Sequence, residues 1–408
     1  MLGKISRVFF KNKYVPWATS VSVWIVGLFV IITGYLLVPP VSEYLFFTEV
    51  TPEVGEVRPA TTQRVEFNCM QHDSLGYLYY KDVGKDWTNN KFGLYVYAEV
   101  GEFFDLADEL VNSEGGDWGY VLIPYNVKDS DKSKWNKVFT KLHKLHLIPI
   151  LQLHDVDVDN YKEQTQDAAE FLDKFIWPVK PRYISVYNEV NDARFWKGSV
   201  DPKRYAQVLE NTINTFKAQN QNFFIMNGAF NVSAASSKTV MDSFDYMREM
   251  DKAVPGIFGR LDGWAAHPYP QPNFSGSPFD DDRWSIRAYH YELEFLKDEL
   301  GVEKELPVFI TETGWAHAEG ENYNGSYLPV EIVGANLKAA YEEVWLKDDR
   351  VRAVTPFTVW FEPPFDHFSW VNEDRKPYEH FKTIKNMDKP AGNPPSVEKG
   401  FTNQVICE

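Results

Sequence analysis

Cysteine is nearly missing from this chain: 2 of 408 residues, Cys69 and Cys407. There is no CxxC pair and no His/Cys cluster, so a zinc-stapled domain is excluded. A disulfide between Cys69 and Cys407 would tie together the ends of the region they flank. Basic charge is also scarce. Lys and Arg number 42 against 58 Asp and Glu, a formal net charge of −16. Four of those cations (Lys4, Arg7, Lys11 and Lys13) precede the first acid, Glu43. That leaves 38 basic against 58 acidic residues, a net of −20 from there on. Such a surface repels phosphate backbones, so nucleic acid is not an expected partner. A neutral or cationic substrate fits better. No glycine-rich GxGxxG turn follows the first strand-like segment, which disfavours a dinucleotide-binding doubly wound sheet. No short repeat is visible.

Aromatic residues are plentiful, with 13 Trp, 22 Tyr and 29 Phe. They suit a large core, and they also suit a sugar-binding cleft, because aromatic faces stack on the apolar faces of pyranose rings. Residues 17–38, "WATSVSVWIVGLFVIITGYLLV", are 22 uncharged positions. As a helix they span roughly 33 Å, the thickness of a bilayer core. The four basic residues before them place residues 1–16 in the cytoplasm and the remainder outside. The apolar run is long for a cleaved signal and lacks a small-x-small site, so an uncleaved single-pass anchor is expected.

Residues 39–90 read as a Pro-, Glu- and Thr-bearing linker with a small hairpin, and 386–408 as an irregular Pro-rich tail. Between them, over 91–385, short apolar strands alternate with amphipathic helical patterns. The strands are expected at 94–99, 119–125, 147–153, 183–189, 223–230, 262–269, 308–315 and 353–360. Asp201 and Pro202 form a cap and first turn for the helix that follows them. Apolar strands alternating with helices predict a parallel sheet covered by helices. Eight such units predict an α/β fold of the (β/α)8 TIM-barrel type, preceded by a single transmembrane helix.

In a barrel the strand C-termini converge on one face, where sites are built. Two of these strands end in acids. "YISVYNEV" ends in Asn188 and Glu189, and "VFITETGW" carries Glu312. Two carboxyls across a pocket suffice to hydrolyse a glycosidic bond: one donates a proton to the leaving oxygen and the other attacks the anomeric carbon. Other strand ends offer Tyr125 and Asn126, His154 and Asp155, His267 and Tyr269, and Trp360 with Glu362 beyond it. Trp118 and Tyr125 are candidate outer sugar platforms. Asp155, Asp157 and Asp159 alternate, but they lack the Gly and distal Glu of a calcium loop. Neither a metal nor an organic cofactor is expected.

With Asn-Glu on the fourth strand, Glu on the seventh, "HPY" on the sixth and Trp on the eighth, residues 92–385 resemble the clan A retaining (β/α)8 glycoside hydrolases. "AAHPYP" and "TETGW" are most similar to its family 39-like and family 5-like branches. The resemblance implies Glu189 as acid/base and Glu312 as nucleophile. It implies Asn188 at the sugar 2-hydroxyl, His267 or Tyr269 orienting the nucleophile, and Trp360 under the cleaved sugar. Tyr125 and His154 are further substrate-binding candidates. Many clan members place an Arg near the nucleophile from an early strand; "GYVLIPYN" offers none. The expected activity is extracytoplasmic hydrolysis of a polysaccharide or oligosaccharide, more in keeping with β than α linkage. Two alternatives stand beside it: a tethered glycan-binding or assembly component with envelope protein partners, and a transglycosylase.

Overall fold

Strands β4 (Tyr120–Asn126) and β5 (Ile148–His154) run parallel in register over seven residues each. They form the centre of the structure, a computed structural model that describes residues 71–73, 76–84 and 86–400. The segment 17–38 and both cysteines lie outside the described residues. Around β4 and β5 a five-stranded parallel sheet continues through β3 (Gly93–Tyr95), β6 (Arg182–Ser185) and β7 (Phe223–Met226). A second parallel sheet holds β8 (Trp264–Ala266), β9 (Val308–Ile310) and β10 (Val351–Val354). Two single parallel bridges, Met226–Gly263 and Phe92–Val354, link the sheets at both edges.

Side chains from every one of these eight strands meet in one inner cluster. It contains Tyr95, Tyr120, Leu122, Ile148, Ile150, Tyr183, Met226, Ala265, Phe309 and Ala353. Phe309 on β9 touches Tyr183 on β6 at 5.1 Å and Tyr120 on β4 at 6.4 Å between ring centroids. Strands far apart in order therefore pack face to face across a filled interior. Each large side chain buried there contributes roughly 1.5–3 kcal/mol.

The opposite strand faces pack on helices α1 (Gly101–Val111), α2 (Lys132–Lys144), α3 (Tyr161–Asp173), α4 (Pro202–Gln219), α5 (Ser243–Ala253), α6 (Ala288–Asp298), α7 (Val330–Ala340) and α8 (Glu379–Lys385). Asp201 caps α4, accepting from Arg204 N–H at 2.9 Å, with Pro202 in the first turn.

Two expectations need amending. The tail is not irregular throughout: β11 (Val397–Gly400) pairs antiparallel with β2 (Gly76–Tyr80), which also pairs with β1 (Gln71–Asp73). A four-residue strand with charged positions carries too little periodicity to be seen without its partner. Six of the eight strands of the parallel sheets also stop three to six residues before their expected ends, while β4 and β5 run one residue past theirs. The residues past those ends are the ones that carry the chemistry.

Candidate active site

β6 ends at Ser185 because the backbone then turns over. Tyr187 (φ 75°) and Glu189 (φ 37°) both adopt left-handed conformations, which cost non-glycine residues about 1–3 kcal/mol each. Local bonds hold them there. Tyr187 N–H donates to Ser185 O at 3.2 Å, and Asp192 N–H donates to Glu189 O at 2.9 Å. From α4, the Tyr205 hydroxyl donates to Val186 O at 3.0 Å. Gly228, after β7, lies flush against this turn: a Cβ there would sit 2.5 Å from Val186 O. The turn faces the Glu189 carboxyl toward the loops after β8 and β9.

Glu312 lies two residues past β9 and is clamped from both sides. Thr311 N–H donates to Ala266 O at 3.1 Å, and Phe357 N–H donates to Thr313 O at 3.0 Å. The Thr313 hydroxyl donates to Pro268 O at 2.8 Å. His267, directly after β8, stands between the two acids. Its Nδ1 is 3.4 Å from Glu189 Oε1 and 3.7 Å from Glu312 Oε2. Those carboxylate oxygens are therefore at most about 7.1 Å apart, the sum of the two distances. The Tyr269 hydroxyl donates to Glu312 Oε2 at 3.1 Å.

All three ionisable groups are buried. For Glu312, burial pushes the carboxyl up; His267 pulls it back, Glu189 raises it, and Tyr269 and Gln152 lower it, leaving a net rise. For His267, burial disfavours the cation, but the facing carboxylates Glu312 and Glu189 outweigh it and raise the imidazole above its ordinary value. With a carboxylate facing it, Nδ1 is favoured to carry its hydrogen. Tyr269 is the donor aimed at Glu312 alone. Tyr269→Phe removes a hydrogen bond to a charged group, worth about 1.5–3 kcal/mol. The expected loss in kcat/KM is roughly 10- to 100-fold, with the acid limb of the pH profile moved upward as Glu312 becomes easier to protonate. A pH–rate profile of the variant with an unmoved acid limb would remove Tyr269 from this role.

Other sequence candidates separate. Asn188 lies beside the pair, its Oδ1 accepting from Gln152 Nε2 at 3.3 Å. His154 is exposed at the end of β5. Asp155 meets Lys128 at 3.4 Å and Lys197 at 3.3 Å, so its charge is already answered. Tyr125 is fully buried on the helix side of β4, packed on Trp135 and Phe171, with its hydroxyl on Asp129 O; it cannot reach a sugar. Trp118 precedes β4, at the end of the sheet opposite the glutamates, and stacks on His146. Trp360 lies under the Arg375 guanidinium, 4.3 Å from its ring centroid. It lines a cavity of about 340 Å³ with Glu321, Asp374 and Tyr378, which neither glutamate lines.

Three residues at the site escaped the sequence reading. Gln152, buried within the apolar strand β5, lies beside Glu312 and favours its charged form. An amide inside "LIPILQL" was its signal. Tyr97, past β3, has a buried hydroxyl close enough to Glu312 for the charge to act on it. Phe357 is tied by its N–H beside Glu312 and packs on Tyr95 at 5.1 Å. It lies three residues before Trp360 in the chain, nearer to Glu312.

Behind β8, Glu292 on α6 is buried, and its Oε2 accepts from Trp264 Nε1 at 3.1 Å. Burial pushes its carboxyl up to about 8 from an ordinary 4.5, against the Trp264 bond and the charges of His267 and Arg283. The folded state thus holds a proton that the unfolded chain releases. Its stabilising contribution is complete below pH 4.5 and is lost as pH rises toward 8, about 5 kcal/mol in all. Urea midpoints at pH 5 and pH 8 should fall much less for Glu292→Gln than for the wild type. Equal falls would place the pH dependence elsewhere.

No protein-family profile matches this sequence, and no curated protein does. Solved structures match through their fold. A monomeric beta-xylosidase from Caulobacter crescentus CB15 superposes with a TM-score of 0.53 at 13% identity, over 73% of this chain and 69% of that one. A GH2 beta-galacturonidase from Eisenbergiella tayi, bound to glycerol, gives 0.50 at 12% identity, over 81% of this chain and 56% of that one. The chain thus has an α/β fold with parallel strands that glycoside hydrolases also use.

Proposed function

We propose that this chain is a retaining glycoside hydrolase, a closed (β/α)8 barrel anchored in a membrane through residues 17–38 with its catalytic face outside. One observation carries the reading: two buried carboxyls from the fourth and seventh of eight strands converge on one imidazole nitrogen. The facing oxygens of the two acids, at most about 7.1 Å apart, are compatible with the ~5–5.5 Å of a retaining pair. The inner cluster fed by all eight strands and the two edge bridges support closure. The fold shared with glycoside hydrolases supports the reaction class.

Glu312 Oε attacks the anomeric carbon while Glu189 delivers its proton to the departing oxygen. The C–O bond to the leaving group breaks as the ester to Glu312 forms. Glu189, now ionised, takes a proton from water; the water oxygen bonds the anomeric carbon and Glu312 departs. Tyr269 and Gln152 stabilise the Glu312 charge, and Asn188 binds the sugar beside Glu189. The anchor and the acidic exterior suit a polysaccharide of the cell's own envelope, with β linkage suggested by the clan resemblance.

The test is release of reducing ends from xylan, mixed-linkage β-glucan, curdlan, chitosan and polygalacturonate, and of nitrophenol from the matching aryl glycosides. Glu312→Gln serves as control. Release that depends on Glu312 supports the reading. No release from any substrate, or release unchanged in the control, overturns it.

A further inference from the structure

The described residues include six large hydrophobic side chains that stand exposed, and their placement is uneven. Ile332 lies on α7. The other five are aromatic: Phe195 at 41%, Phe279 at 63%, Trp284 at 50%, Tyr323 at 76% and Phe365 at 41% exposure. All five sit on loops that follow the C-terminal ends of β6, β8, β9 and β10, the loops that also carry Glu189, Tyr269, Glu312 and Phe357. Exposed aromatic rings confined to the loops at the catalytic end of the sheets make that end a candidate binding face.

Short chains of contacts tie three of these rings to the catalytic groups. Phe195 N–H donates to Asp192 O at 3.0 Å, and Asp192 N–H donates to Glu189 O. Trp284 O accepts from Gln271 N–H at 2.9 Å, two residues past Tyr269. Phe365 packs on Phe357 at 6.2 Å, and Phe357 is bonded beside Glu312. Phe195 thus shares its loop with Glu189, and Phe365 packs on the residue bonded beside Glu312. Two stacks add rigidity: the Arg194 guanidinium lies 5.4 Å from the Phe195 ring, and Arg283 lies 5.8 Å from Trp284.

We infer that these rings are stacking platforms for a glycan chain several sugars long that crosses the site, so that cleavage falls at internal bonds. The inference rests on the glycosidase reading and adds to it the length of the substrate and the mode of attack. Rings on loops that reach the site from three different strands offer more stacking sites than a single terminal sugar can fill. An enzyme that removes single terminal sugars needs a closed wall on one side. The net charge of −20 after residue 42 argues against an anionic lipid surface as the occupant.

The experiment follows viscosity and reducing ends together, using the full-length chain on whichever panel polysaccharide is cut. The wild type is expected to collapse viscosity while few ends have been released. The triple variant Phe195→Ala, Trp284→Ala, Phe365→Ala should lose at least tenfold more kcat/KM on the polymer than on the aryl glycoside. Stacking worth about 1–3 kcal/mol per ring, taken from base–aromatic pairs, sets that scale. Equal losses on both substrates, or monosaccharide as the first product, overturn the inference. So does cleavage of aryl glycosides with no polymer cut, which leaves the glycosidase reading intact. A triple variant with full polymer turnover but reduced oligomer mass by light scattering would assign the rings to a second copy of the chain. Silence on every substrate would overturn the reading beneath it.

Discussion

Glu312→Gln should leave at most about one part in 10⁴ of wild-type kcat, because an amide oxygen cannot form the glycosyl ester on which a two-step displacement depends. The loss should be of similar size on polymers and on activated aryl glycosides, since both must form that ester. The fold should survive. Gln keeps the shape and the acceptor that receives the Tyr269 hydroxyl at 3.1 Å. It also removes a buried carboxyl whose charge burial opposes, so the melting temperature should hold or rise. Steady-state rates with a thermal melt check both halves. A variant retaining more than about one hundredth of the activity would sink Glu312 as nucleophile.

Glu189→Gln is expected to separate the two steps. Removing a general acid costs about 10²–10⁴-fold where the leaving group needs a proton. The deficit should shrink sharply with a dinitrophenolate leaving group, which departs without one. The covalent intermediate would then persist, because no base remains to activate water. Azide needs no such base and should restore turnover, giving a glycosyl azide of the same anomeric configuration as the substrate. Equal deficits with both leaving groups would make Glu189 a structural residue. An azide product of inverted configuration would break the retaining mechanism.

Much of this arrangement was legible in the sequence because parallel strands buried on both faces are written as apolar runs. Glu189 and Glu312 stood out as acids closing such runs. What could not be read was where each strand stops. β6 ends at Ser185 and not at Glu189, since Tyr187 and Glu189 take backbone conformations that no propensity foretells. The same overreach on β10, which ends at Val354, pointed to Trp360 where the structure sets Phe357 beside Glu312. Tyr125 looked like a strand-end platform, but its side chain falls on the helix face. His267 was legible as a strand-end residue. Its position between both acids depends on three loops meeting in space, and no spacing along the chain encodes that.

The single imidazole nitrogen set between two carboxylates makes the pocket a place where one proton is shared by three owners. A sugar mimic with a basic ring nitrogen would enter that partnership as a fourth. Its positive charge would compete with His267 for the same two acids, and the pocket would hold the newcomer by surrendering the imidazole proton to solvent. Tight inhibition by such a compound is therefore an exchange of cations, and its strength should follow the acidity of the medium as much as the shape of the ring.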